Sequence, residues 1–381
     1  MSKPTGILPS QAIRYMLAES QIAAADDALP IELDQIQPAS IDLRLGRYAY
    51  PVDTSFLPSA SMTVMQKMEM LDAQAHDFKI DLSSGAVLEK GRVYVVPLLE
   101  KIKLPIDIAA FANPKSSTGR LDILTRLIAD RATIFDQVDA GYAGDLYIEV
   151  APRSFSIVAK TGTRLNQLRF RRMGAEAEEI AGEEWKNLLH TGQIVDENDF
   201  AQNKKLIEKS GMLPFTVDLQ GSGREGEIIG YRARKHASRV DLERRDYKAQ
   251  DFWEAIYYHK SKSLILDPDE FYILMTKEAI AVPPAYAAEM IPYDTRAGEF
   301  RVHYAGFFDP CFGYDMASKK AGSSRGVLEV RSHEVPFLLE HGQIVGWLRY
   351  EKMAEIPDTL YGQEIKSNYQ GQSLKLAKQF V

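Results

Sequence analysis

Short runs of alternating or β-branched apolar residues, cut by Pro and Gly every few positions, dominate the chain; RVYVVPL, DLYIEVA and QIVGWLRY are the clearest. A period of two places successive side chains on opposite faces of an extended strand, and frequent turn residues keep each strand short. The pattern predicts a mainly β fold of the barrel or sandwich kind, with a few peripheral helices, rather than βαβ winding. Apolar residues at three- and four-residue spacing predict helices near 11–24, within a charged stretch at 176–209, and near 250–259. The same spacing in Ile123, Leu124, Leu127 and Ile128 predicts an extra helical turn.

The pattern occurs twice. QPASIDLRLG, with Pro38 and Asp42, answers to LPFTVDLQG, with Pro214 and Asp218, and LEKGRVYVVPLLEKIKLP answers to LDPDEFYILMTKEAIAVP. Residues 147–173 align without a gap onto 327–353, carrying Glu149 onto Glu329, Gly162 onto Gly342 and Met173 onto Met353. Three blocks in the same order at nearly constant offset indicate an internal duplication. The expected organisation is a first copy at 1–174, a charged and helical connector at 175–210, a diverged second copy at 211–353 and a polar tail at 354–381.

Composition narrows the chemistry. The 381 residues, 45% of them hydrophobic, suffice for two cores. With 46 basic against 53 acidic side chains, the net charge of −7 argues against a nucleic-acid coat or a membrane-surface role, so a polyanionic ligand needs a local cluster of donors. A single cysteine, Cys311, excludes a disulfide framework and the HxE with PCxxC zinc site of nucleobase deaminases. The absence of any apolar run of spanning length, and a start without a basic or apolar leader pattern, suggest the cytoplasm.

Two strings carry candidate chemistry. FANPKSSTGRLD gathers Lys115, Ser116, Ser117, Gly119 and Arg120, offering hydroxyls, a flexible backbone and two cations to a phosphate chain, although a plain polar turn can look the same. VDAGYAGDLYIEV places Asp139 and Gly141 at a hairpin corner before a strand in which Tyr147 and Glu149 alternate with Leu146, Ile148 and Val150. Alternation predicts one face of that strand in the core and the other turned elsewhere. Glu149, on a rigid strand between apolar neighbours, has a setting suited to proton transfer near neutral pH, whereas a solvated glutamate on an open face is the plainer alternative. Tyr361 and Gln372 sit in a tail too sparsely apolar to build a core, and Trp185, Trp253 and His190 read as packing residues.

Taken in order, PASIDLRLG, PKSSTGR, DAGYAGDLYIEV, TGTRLNQLRF and YGQEIKSNYQGQ resemble the successive motifs of the dCTP deaminase family, a branch of the trimeric dUTPase-like β-barrels. The resemblance implies two tandem dUTPase-like domains, cytoplasmic hydrolytic deamination of dCTP to dUTP and ammonia, Mg²⁺ bound only by the substrate triphosphate, and a homo-oligomer, most simply a trimer with sites between barrels. It implies triphosphate binding at Ser116, Ser117 and Arg120, with Lys115 where an arginine is usual. Asp139 matches a residue at the sugar or base, Tyr147 and Ile148 match the strand that reads the cytosine, and Glu149 matches the catalytic glutamate. Tyr361 and Gln372 match tail residues that close over the nucleotide, while Asn368 stands where lysine is usual and Lys366 is nearby.

The second copy replaces Lys115 and Ser116 with Tyr293 and Asp294, and a carboxylate there repels phosphate. It keeps Asp309 and Glu329, which leaves Glu329 as a second catalytic candidate. The segment between Arg120 and Asp139 is longer than the family usually has. Rival expectations are a dUTP diphosphatase, a bifunctional enzyme giving dUMP, or a non-catalytic nucleotide-binding regulator.

Overall fold

The computed structural model describes the chain except for residues 1–3, 26–29, 72–77, 175–179, 181, 196–206, 208–209, 293–299, 303–305, 333–334 and 363–373. It divides into two units, Met1–Glu176 with Ala237–Asp246, and Ala177–His236 with Tyr247–Val381. Among the described residues no helix is long and apolar enough to cross a membrane.

In the first unit, the strand Arg164–Arg172 lies between Ile108–Pro114 and the strands Gly6–Ile7 and Ile41–Arg44, and Gln137–Val138 extends the sheet beyond Ile108–Pro114. A second sheet runs Ile80–Asp81, Tyr48–Val52, Val93–Lys103, Ala143–Pro152 and Ile123–Ala129, with Ile22–Ala24 also on Val93–Lys103. The second unit repeats both orders. Leu213–Thr216, Ile344–Lys352, Tyr286–Pro292 and Phe307–Phe308 form one sheet, and Ile228–Ala233, Phe271–Ala279, Arg325–Ser332 and Phe300–Val302 are consecutive in the other. The mainly β architecture and the duplication expected from the sequence are both present.

Several local expectations are corrected. The helix near the start covers Ser10–Ala18 only, and Ile22–Ala24 is a strand. Ala249–Phe252 is a single turn that passes into the strand Trp253–Tyr257, where a Trp and β-branched Ile256 favour extension. Ile123–Ala129 is a strand rather than a helical turn, because every residue of it is paired with Ala143–Pro152. The helix Gly182–His190 inside the charged stretch inserts Trp185, Leu188 and Leu189 into the second unit's core, while His190 is exposed.

Two segments pack away from their neighbours in sequence. Residues 237–246, read as part of the second copy, belong to the first unit: Val240–Asp241 adds in parallel to Ile157–Ala159 and covers an edge that would otherwise present unpaired backbone. At the end of the tail Leu376 and Ala377 are buried, and the Phe380 ring stands 5.3 Å from Phe252 and 5.8 Å from Trp253.

Candidate active site

Glu149 occupies the middle of Ala143–Pro152, paired with Val95 on one side and Arg126 on the other. Alternation does not divide this strand into a wet and a dry face, since Leu146 to Val150 are all at most 5% exposed, Glu149 at 1%. Tyr147 enters an apolar cluster with Tyr50, Phe56, Val64, Met68, Val95 and Ile128, and burial pushes its phenol well above the usual range. Ile148 is wholly buried.

A buried carboxylate requires a partner, and Arg126 supplies it. Its Nε and Nη2 both donate to Glu149 Oε1, at 2.9 and 2.6 Å, while Oε2 is buried with no hydrogen-bond partner among the described residues. Two donors on one oxygen leave the other as a free acceptor.

The phosphate-binding candidate is a separate constellation. Ser116–Gly119 forms one helical turn after Ile108–Pro114, with Ser116 exposed and Ser117 and Arg120 buried. Thr118 Oγ1 donates to the Leu165 carbonyl at 2.8 Å, which fixes the turn to the neighbouring strand. Lys115 Nζ lies 2.5 Å from both carboxylate oxygens of the buried Asp42, so its charge is already engaged by the PASIDL motif.

Asp139 stands exposed on the rim of a cleft of about 440 Å³ that is lined by Asp130, Arg131, Tyr142 and the 137–141 backbone, among others. Gly141 takes a φ of +80°, a conformation that favours glycine at this corner. Tyr142 donates to the Asp145 carbonyl at 2.6 Å and accepts from the Asp130 N–H at 3.1 Å; burial pushes its phenol up to about 12. Burial likewise raises the Asp130 carboxyl, against the opposing hydrogen bond from the Val64 N–H.

Of the proposed site residues that are described, only Asp139 lines this cleft; Lys115, Ser116, Ser117, Arg120 and Glu149 do not. Tyr361 lies in the second unit, its ring 5.8 Å from Phe312 and its N–H on the Pro310 carbonyl. Gln372, Lys366, Asn368, Tyr293 and Asp294 fall outside the described residues. Glu329 is buried on Arg325–Ser332, opposite Ile273. Sequence reasoning missed Arg126 and the Asp42–Lys115 pair. A charge interrupting the apolar run ILTRLIA was the available signal for Arg126, because such a charge on a buried strand needs a counter-charge across the ladder.

Similarity to known proteins follows the same two-part layout. The family model of the 2'-deoxycytidine 5'-triphosphate deaminase (DCD) N-terminal domain matches residues 4–174, and that of the C-terminal domain matches 183–380. The crystal structure of 2'-deoxycytidine 5'-triphosphate deaminase from Agrobacterium tumefaciens is 48% identical with a TM-score of 0.82, covering 93% of this chain and all of that one. A dUMP-forming dCTP deaminase of Bifidobacterium longum is 29% identical over 184 residues, 47% of this chain and 90% of the relative. A dCTP deaminase of Natronomonas pharaonis is 30% identical over 179 residues, 47% of this chain and 86% of the relative. With both of its halves matched by the family's own domain models, the chain belongs to the 2'-deoxycytidine 5'-triphosphate deaminase family.

Proposed function

We propose that the protein is a cytoplasmic hydrolase that deaminates dCTP to dUTP and ammonia, with Glu149 as the proton carrier. The observation that carries this reading is the state of its carboxylate: Oε1 is held by Arg126, and Oε2 is buried and without a partner. An aminopyrimidine carbon is attacked by water only if a group removes a proton from the water and a group protonates the departing amine. Glu149 Oε2 accepts the water proton as hydroxide adds at C4 of the base. The same oxygen then returns the proton to the amine, the C–N bond breaks and ammonia leaves, while the remaining proton of the added hydroxyl passes to N3, so that a carbonyl stands at C4.

Ser116, Ser117, Arg120 and the backbone of their turn hold the triphosphate, Asp139 faces the sugar or base, and Tyr147 and Ile148, whose side chains are buried, contribute their strand's backbone to reading the base. Tyr361 and Gln372 contribute from the tail. The complete site is assembled in a homo-oligomer, a trimer on the family's pattern, a reading that agrees with Asp139 lining a cleft apart from the phosphate-binding turn and Glu149. Mg²⁺ travels on the phosphate oxygens of the substrate.

A second reading, in which the product is cleaved onward to dUMP, is favoured by the names of several relatives, including the Bifidobacterium longum protein. Purified protein incubated with dCTP, CTP, dCMP and dUTP separates the readings. Ammonia from dCTP without pyrophosphate is the expected result, pyrophosphate from dCTP or dUTP establishes the second, and nucleotide binding with neither product reduces the protein to a regulator.

A further inference from the structure

We propose that Arg126 is the positioning residue for Glu149, and that Phe135, in the segment between Arg120 and Asp139, helps to hold it in place. The proposal rests on Glu149 being the proton carrier. Arg126 and Glu149 face each other directly across two antiparallel strands, so both backbones are fixed before either side chain is placed. An arginine fork commonly spans both oxygens of a carboxylate. Here Nε and Nη2 converge on Oε1 alone, at 2.9 and 2.6 Å, which pins the carboxylate's orientation and leaves Oε2 as its one unbonded acceptor.

The guanidinium is itself held from two further directions. Nη2 also donates to Ser55 Oγ at 2.7 Å, and the guanidinium carbon lies 4.1 Å from the centre of the Phe135 ring. Phe135 reaches this position through a closed turn between Leu127 and Asp136. Asp136 takes a φ of +61°, its carboxylate accepts the Leu127 N–H at 2.7 Å, and its own N–H donates to the Leu127 carbonyl at 3.0 Å. This turn thus folds a π-face onto the cation beside the reacting carboxylate.

Arginine does not give up its proton in proteins, so Arg126 cannot exchange protons with water or the amine. Its contribution is to keep Oε2 aimed while the proton moves on and off, and an error of about 1 Å in such aim costs about 10²-fold in rate. Loss of Arg126 therefore lowers turnover and leaves substrate affinity alone.

The test is steady-state ammonia release from dCTP by the full chain, for wild type, Glu149→Gln, Arg126→Gln, Arg126→Lys and Phe135→Leu, each checked by thermal melting. Arg126→Gln is expected to lose about 10² in kcat with KM within about threefold. Arg126→Lys, which restores a cation and a donor, is expected to recover about tenfold of that loss, and Phe135→Leu to cost about threefold. A folded Arg126→Gln protein with wild-type kcat overturns the proposal, as does a raised KM with kcat intact, or a Lys variant no faster than Gln. If Arg126→Gln fails to fold, the Lys and Phe135→Leu proteins decide by the same split: lowered kcat at constant KM supports the proposal, and wild-type kcat in both overturns it. Wild-type protein that releases no ammonia defeats the proposed function itself. Active wild type, inactive Glu149→Gln and fully active Arg126→Gln defeat only the positioning role.

Discussion

The two units thread the same sheets, yet their equivalent hairpins have opposite characters. In the first, Asp139, Ala140 and Gly141 are exposed and the corner opens onto a cleft of about 440 Å³. In the second, Phe308 and Phe312 meet edge to face with ring centres 4.9 Å apart, Cys311 is buried with its thiol pushed up to about 11 by burial, and Tyr361 packs on Phe312. One hairpin keeps polar groups facing space that a ligand can fill, and the other has filled that space with its own rings. Duplication preserved the scaffold, and among the described residues the two corners differ; the proposal that Glu149 rather than Glu329 carries the chemistry is what the carboxylate variants test.

Removing each carboxylate in turn breaks this comparison most directly. Glu149→Gln is expected to lower kcat by about 10²- to 10⁴-fold, the usual loss for a missing general acid and base, while Glu329→Gln stays within about threefold. Ammonia release under saturating dCTP reads both, and the reverse order would move the site to the second unit.

A buried glutamate elsewhere in each copy sharpens the contrast in stability. Glu100 is wholly buried, and Arg44 gives it Nε at 2.7 Å and its backbone N–H at 2.8 Å. Its equivalent Glu278 instead takes the N–H and hydroxyl of Thr216, at 2.9 and 2.5 Å. Arg44→Met leaves an uncompensated buried charge and is expected to cost about 3–5 kcal/mol. Thr216→Val removes one donor and is expected to cost about 1–3 kcal/mol. Urea unfolding of the two variants ranks them, and a Thr216→Val loss exceeding that of Arg44→Met would mean the ion pair is not the stronger device.

The strands and the duplication were legible because period-two patterning is local and occurs twice. What escaped depends on partners distant in sequence. Ile123, Leu124, Leu127 and Ile128 suit a helical stripe and a fully buried strand equally well, and only pairing with Ala143–Pro152 decides between them. That misreading also hid Arg126, since a helix would have sent its side chain elsewhere. The motif residues themselves were legible, but which of them meet was not: Lys115 faces Asp42, recruited from a segment over seventy positions earlier. The tail's few apolar residues looked insufficient for packing because Tyr247, Phe252 and Trp253, which receive Phe380, lie more than a hundred positions away.

The smallest effect concerns Tyr361, whose two roles separate cleanly by experiment. Family resemblance gives it to the nucleotide, and the structure packs it against Phe312 in the second unit's core cluster. An aromatic contact of this kind contributes about 0.5–1.5 kcal/mol beyond the area it buries. Tyr361→Ala is therefore expected to lower stability by about 1–2 kcal/mol, the ring contact plus part of a half-buried side chain. Tyr361→Phe, which keeps the ring, is expected to match wild type in stability. A tail residue that also closes over the base raises KM for dCTP in Tyr361→Ala. A KM unchanged within about twofold, together with the stability loss, confines Tyr361 to packing and leaves closure over the base to other tail residues.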